Sequence, residues 1–113
     1  MKSPKPARRL RVLISEAARH DGAPLYEAIV LKAREMGLAG ATVTRAALGY
    51  GHSGHLRTSK ILRLSDDLPL IVEIIDTEEK VDAFLPVLDG MMGTGLVTLE
   101  AIEAMVYRDA PAS

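Results

Sequence analysis

The 113-residue sequence predicts one α+β domain, a four-stranded antiparallel sheet with two helices on one face. Three observations predict it. A strand-helix-strand pattern read from Leu10 to Leu48 recurs from Leu68 to Tyr107. Both predicted helices lead into a Gly-Leu pair, Gly37-Leu38 and Gly95-Leu96, ahead of the second strand of each half. The length fits a single domain, for which roughly 100–200 residues is usual.

Leu10–Ser15 is rich in β-branched and aliphatic residues and is the first strand. A polar stretch with Asp21-Gly22 follows, and Pro24 suits the first turn of a helix, where its missing N–H costs nothing. Leu25, Ile29, Ala33 and Met36 recur at helical spacing, and Gly37 stops the helix. Ala41–Leu48, with Thr42, Val43 and Thr44, is the second strand. In the second half, Leu68–Ile75 is the third strand, and Asp76 with Glu79 resembles a capping box. Val81, Phe84, Leu85, Leu88 and Met92 form the apolar stripe of the second helix, which Pro86 is expected to kink or split. Leu99–Tyr107 is the last strand. A double β-α-β unit of this size folds as a ferredoxin-like sandwich with right-handed crossovers.

If Val12, Val72 and Val106 point to the helices, alternation puts Leu13, Ile71, Ile75 and Met105 on the other sheet face. That much bare apolar surface predicts an oligomer that covers it. The domain is expected over residues 9–108, with flexible tails at residues 1–8 and 109–113 and a connector at residues 49–66.

Composition excludes several classes. A net charge of −1 does not suit an electrostatic nucleic-acid binder, and one Phe, three Tyr and no Trp leave little for base stacking. The absence of cysteine removes disulfides, thiolate metal sites and cysteine nucleophiles. No apolar run approaches the roughly 20 residues that span a bilayer, and no signal-peptide core follows the basic N terminus, so a cytoplasmic location is expected. Neither Ser53 and Ser59 nor Glu73, Glu100 and Glu103 form a recognisable nucleophile-base or acid-base set, so no enzyme is expected.

The chemistry concentrates in the connector. Met36 to Ser65 contains no Asp or Glu, whereas Arg45, Arg57, Lys60, Arg63, His52 and His55 all fall within it. A positive segment in a near-neutral chain suits a phosphate or carboxylate ligand; the alternative is a solvated basic loop. At its start, Gly49-Tyr50-Gly51-His52-Ser53-Gly54-His55 can bring backbone N–H groups close to an anion, although a flexible hairpin would read the same. Gly93-Thr94-Gly95 is a second glycine pair, and the two loops with the basic connector make an anion cradle if the fold brings them together. His52 and His55 could instead hold a metal, but no cysteine or nearby carboxylate completes the ligand set.

Pro24-Leu25-Tyr26-Glu27-Ala28-Ile29-Val30, Gly37-Leu38-Ala39-Gly40-Ala41-Thr42-Val43, Gly49-Tyr50-Gly51, Leu68-Pro69, Phe84-Leu85-Pro86 and Gly95-Leu96-Val97-Thr98 together resemble the PII-like proteins of domain of unknown function 190. The resemblance runs from about Leu10 to Tyr107. It implies a cytoplasmic homotrimer with inward-facing sheets and no catalytic role. It also implies an adenine nucleotide between subunits, held by Gly49, Tyr50, Gly51 and His52 on one side and Met92, Gly93, Thr94, Gly95 and Leu96 on the other. The connector corresponds to the T-loop, through which PII proteins contact a regulated protein; here Arg57, Lys60 and Arg63 would touch that partner or the phosphate. A membrane transporter or channel is the partner class the family context suggests. PII proteins typically carry Gly-Asp-Gly-Lys in the second loop, its Lys helping to hold triphosphate. Gly93-Thr94-Gly95 has no such Lys, which favours AMP or ADP as effector, with no tightly held cofactor.

Overall fold

The computed structural model describes residues 3–50, 57–58 and 68–107, with only the backbone described at Leu48, Arg57 and Thr58. The main sheet comprises β1 (Lys5–Ser15), β2 (Ala41–Arg45), β3 (Pro69–Asp76) and β4 (Leu96–Ala104). Helix α1 (Leu25–Glu35) joins β1 to β2, and α2 (Glu78–Met91) joins β3 to β4. The strand order is β2-β3-β1-β4, with every neighbouring pair antiparallel. This is the ferredoxin-like α+β sandwich that the double β-α-β pattern predicts.

Alternation along the two central strands makes the core. Leu10, Val12 and Ile14 of β1 and Leu70, Val72 and Ile74 of β3 are buried beneath Leu25, Ile29 and Ala33 of α1 and Val81, Phe84 and Leu88 of α2. Phe84 is the largest of the fully buried side chains. The opposite sheet face has no helix against it, and Leu13 and Ile75 lie exposed there as alternation predicts.

The helix ends are tied to each other. Gly37, at φ +78°, closes α1 as a Schellman motif: its N–H donates to the Arg34 carbonyl, and the Leu38 N–H donates to that of Ala33. Asp76 does not build a capping box with Glu79. Thr77 is the N-cap of α2, its hydroxyl accepting from the Lys80 N–H at 3.2 Å. Asp76 accepts instead from the Thr77 and Ala39 N–H groups, and Lys80 Nζ donates to the Gly37 carbonyl. The loop after α1 is thereby fastened to the start of α2.

Four boundaries differ from expectation. β2 ends at Arg45 and not at Leu48, which pairs instead with Thr58 of the connector. β1 begins at Lys5, inside the expected tail, because Lys5, Pro6 and Ala7 pair with Ala104, Glu103 and Ile102 of β4. Arg8 fixes the same stretch to α2, reaching Glu78 at 2.6 Å and Asp82 at 3.1 Å. β4 begins at Leu96 and ends at Ala104, so Val106 lies beyond the strand and is exposed. Its register sets Val97 opposite Val12 and Leu99 opposite Leu10, which turns Ile102 and Ala104 to the bare face. Pro86 does not split α2, which runs unbroken across it. The C-terminal tail and most of the connector lie outside the described residues.

Gly95 is fixed by packing. A Cβ there would sit 2.9 Å from the Leu13 carbonyl oxygen and 3.0 Å from Ile14 Cγ2, whereas one on Gly93 would meet nothing within 4 Å. Gly95→Ala is therefore expected to destabilise the fold by about 1–3 kcal/mol, and Gly93→Ala to leave it near wild type. Phe84→Ala, which empties the middle of the core, is expected to cost about 3–5 kcal/mol. Urea denaturation at one fixed protein concentration checks all three; equal midpoints for the two glycine variants would contradict the packing described.

Candidate functional site

Both glycine-bearing loops sit at one end of the sheet. β1 ends there at Ser15, β3 starts at Pro69 and β4 starts at Leu96, opposite Leu13. The base of the connector is built into this end. Ala46 N–H donates to the Pro69 carbonyl and Glu16 N–H to that of Leu68, while Arg45 forms an ion pair with Glu16. Arg45, counted with the positive connector in the sequence, is thus neutralised by its own chain. Beyond it, Leu48–Gly49 pairs antiparallel with Arg57–Thr58, so the connector leaves the sheet as a ribbon with Arg57 opposite Gly49. Gly49 lies close on Pro69, where a Cβ would come within 3.1 Å of Cγ. Tyr50 is 73% exposed. Gly51, His52, His55, Lys60 and Arg63 lie outside the described residues.

The second loop follows α2. Met92 caps the helix, its N–H donating to the Leu88 carbonyl, and Gly93 and Thr94 are exposed. The five positions expected to act together here divide. Met92, Gly93 and Gly95 line an open groove between α2 and β4, Gly95 also being locked against β1, while Leu96 turns to the bare sheet face beside Leu13. Leu88 of the core also lines it, and Asp82, Leu85, Pro86, Asp89 and Val97 complete the groove. Sequence reasoning missed these five as site residues. The signal was present, because 82, 85, 86, 89 and 93 recur at helical spacing, but the core stripe of Val81, Phe84 and Leu88 is stronger.

The groove is mostly apolar, and its charged lining groups among the described residues are the carboxylates of Asp82 and Asp89. Asp82 is already engaged by Arg8. It suits an uncharged ring system better than a phosphate, so positive charge for an anion has to come from elsewhere.

Among the described residues, neither groove is lined by both loops. Gly49 follows the β2 edge strand and packs on Pro69 of β3, whereas Gly93–Gly95 precede the β4 edge strand and Gly95 packs on β1. At the usual strand spacing of about 4.8 Å, the two edges are roughly 14 Å apart. A second groove, lined by Met36, Thr77, Glu79, Lys80 and Ala83, lies at the far end, where Lys80 and Thr77 are spent on fastening helix ends. Among the described residues no three His, Cys, Asp or Glu side chains converge as metal ligands, and no helix is long and apolar enough to cross a membrane.

Comparison with known proteins supplies the family. Residues 7–104 match the model of DUF190, described as uncharacterized ACR. A UPF0166 protein of Aquifex aeolicus is 44% identical over 96 residues, covering 85% of this chain and 90% of that protein. The UPF0166 protein of Methanocaldococcus jannaschii is 33% identical over 94 residues, covering 82% and 86%. Among solved structures, CPII of Thiomonas intermedia K12, a nitrogen regulatory PII-like protein bound to ADP, AMP and bicarbonate, aligns with a TM-score of 0.63 at 19% identity, covering 90% of this chain and 91% of CPII. A PII-like protein of Thermus thermophilus aligns at 0.66 with 18% identity, covering 91% and 93%. At these identities the structural matches establish the shared fold. The sequence match over nearly the whole domain places this chain in the DUF190 family, and the structural matches give it the fold of the PII-like proteins.

Proposed function

We propose that this chain is a cytoplasmic homotrimeric regulatory protein that binds an adenine nucleotide, AMP or ADP, between adjacent copies and answers to it through its connector. The observation that carries the reading is the placement of the two glycine-bearing loops at the same end of the sheet but on opposite edges. A ring of copies that sets the β2 edge of one chain against the β4 edge of the next would close one pocket per interface. The bare sheet face supports such a ring. Leu13 and Ile75 are more than a third exposed there and Leu96 is 57% exposed, with Ile71 and Ile102 half-buried beside them.

The chemistry of the two half-sites divides the nucleotide. The apolar groove of Leu85, Pro86, Met92 and Val97 suits a base and sugar, and its carboxylates disfavour phosphate. The phosphate would lie on the other half-site, against the backbone of Gly49 to His52, with Arg57, Lys60 and Arg63 supplying charge. CPII, of the same fold, is bound to ADP and AMP. Occupancy would fix the connector in one arrangement and change what it offers a protein partner, for which a membrane transporter or channel is the proposed class. Such a switch requires that nucleotide bind one connector arrangement more tightly than the other.

Isothermal titration calorimetry against AMP, ADP, ATP and cyclic AMP tests the ligand. Binding of AMP or ADP in preference to ATP is expected, and no heat from any of the four would refute the nucleotide reading. Gly93→Asp should weaken nucleotide binding about tenfold or more by adding a third carboxylate to the groove, with an unchanged urea midpoint. Undiminished affinity in that variant would remove the α2–β4 groove from the site.

A further inference from the structure

The bare sheet face carries an unfilled hydrogen-bonding capacity as well as apolar surface. Along β1 its outward residues are Arg9, Arg11 and Leu13. Arg9 lies opposite Glu100 of β4 and forms an ion pair with it; Arg11 lies opposite Glu73 of β3 and reaches it through Nε at 2.8 Å. The result is two neutral pairs in the middle of a face bordered by Leu13, Ile71, Ile75 and Leu96.

The pairs are incompletely satisfied. Among the described residues, the two terminal amino groups of the Arg11 guanidinium donate to no acceptor, and its side chain is 43% exposed. Glu100 engages Arg9 through Oε1 alone, and its side chain is 57% exposed. A guanidinium presents its donors as a fork that matches a carboxylate in two parallel bonds. The same face therefore displays an open cationic fork and an open carboxylate, surrounded by aliphatic side chains that favour burial.

Within the assembly of copies through this face, we propose that the free fork of Arg11 in one copy receives Glu100 of the next. The link extends the intrachain pairs into a ladder running Glu73, Arg11, then Glu100 and Arg9 of the neighbouring copy. Each copy gives one end and receives the other, a head-to-tail contact that closes into a ring. The apolar border makes the ladder selective. A covering surface without the matching carboxylate would bury the two terminal amino groups of Arg11 without acceptors, which costs more than an exposed pair contributes. This inference rests on the assembly described under the proposed function and assigns the residues that choose its partner.

The test uses the full chain and a charge-inverted variant carrying Arg9→Glu, Arg11→Glu, Glu73→Arg and Glu100→Arg. The inversion keeps every pair within the chain and every link between inverted copies, but sets like charges together wherever an inverted copy meets a wild-type one. Native mass spectrometry of mass-tagged chains, mixed after dissociation, should show all-wild-type and all-inverted assemblies and no mixed ones. Random mixing would overturn the ladder while leaving the assembly and its nucleotide site intact. Single copies of the wild-type chain at micromolar concentration would instead overturn the proposed function itself. As a milder probe, Arg11→Gln should raise the dissociation constant of the assembly about tenfold or more, and an unchanged constant would equally overturn the ladder.

Discussion

A four-stranded sheet has two faces, and two helices on one side can cover only one of them. In this chain the covered face is filled by Leu10, Val12 and Ile14 of β1, with Leu70, Val72 and Ile74 of β3, beneath Phe84 and its neighbours. Of the residues between them, Leu13, Ile71 and Ile75 are equally aliphatic and face outward, while Arg9, Arg11 and Glu73 on the same face are held in ion pairs. Strands of this kind are usual where both faces are buried, whereas a solvated face usually alternates with polar residues. The aliphatic half of that outward set is what supports the proposal of a second covering layer.

The same topology separates the two loops that carry the candidate site. Because β1 and β3 occupy the middle of the sheet, β2 and β4 become its edges, and the loop adjoining each edge strand is held apart from the other. Under the proposed function, covering the bare face and completing the site are one geometric problem, which the juxtaposition of copies would solve. The division of charge fits this. The groove on the β4 edge is apolar with carboxylates, while the positive connector leaves from the β2 edge, so a ligand with an uncharged ring and an anionic end matches the combination better than it matches either part.

Much of this was legible in the sequence. Elements with unambiguous periodicity, such as Pro69–Asp76 and Leu25–Glu35, fall within a residue or two of where the pattern puts them, and Gly37 ends its helix as its position implies. Element ends were less legible where local signals compete. Thr77 and Asp76 are both good caps, and only the proximity of Ala39, set by the chain's return after α1, decides which does what. The face of β4 was misread because Leu96, Val97, Leu99 and Ile102 put aliphatic residues on both sides, so alternation could not choose; pairing with Val12 chose. In the site, the glycine spacing drew attention to Gly93 and Gly95 together, yet one is open and the other is locked against the β1 backbone. The carboxylates of the groove were invisible because a charged stripe on a helix ordinarily faces water.

The central claim is that the site belongs to two copies at once. The most direct measurement is complementation between two binding-deficient chains, one damaged on the connector side by Arg57→Glu and one on the loop side by Gly93→Glu. Each variant alone should fail to take up AMP or ADP. Mixed and allowed to exchange copies, they should regain uptake at those interfaces where both intact halves meet. Mixtures that exchange copies yet stay as inert as their components would contradict a shared site.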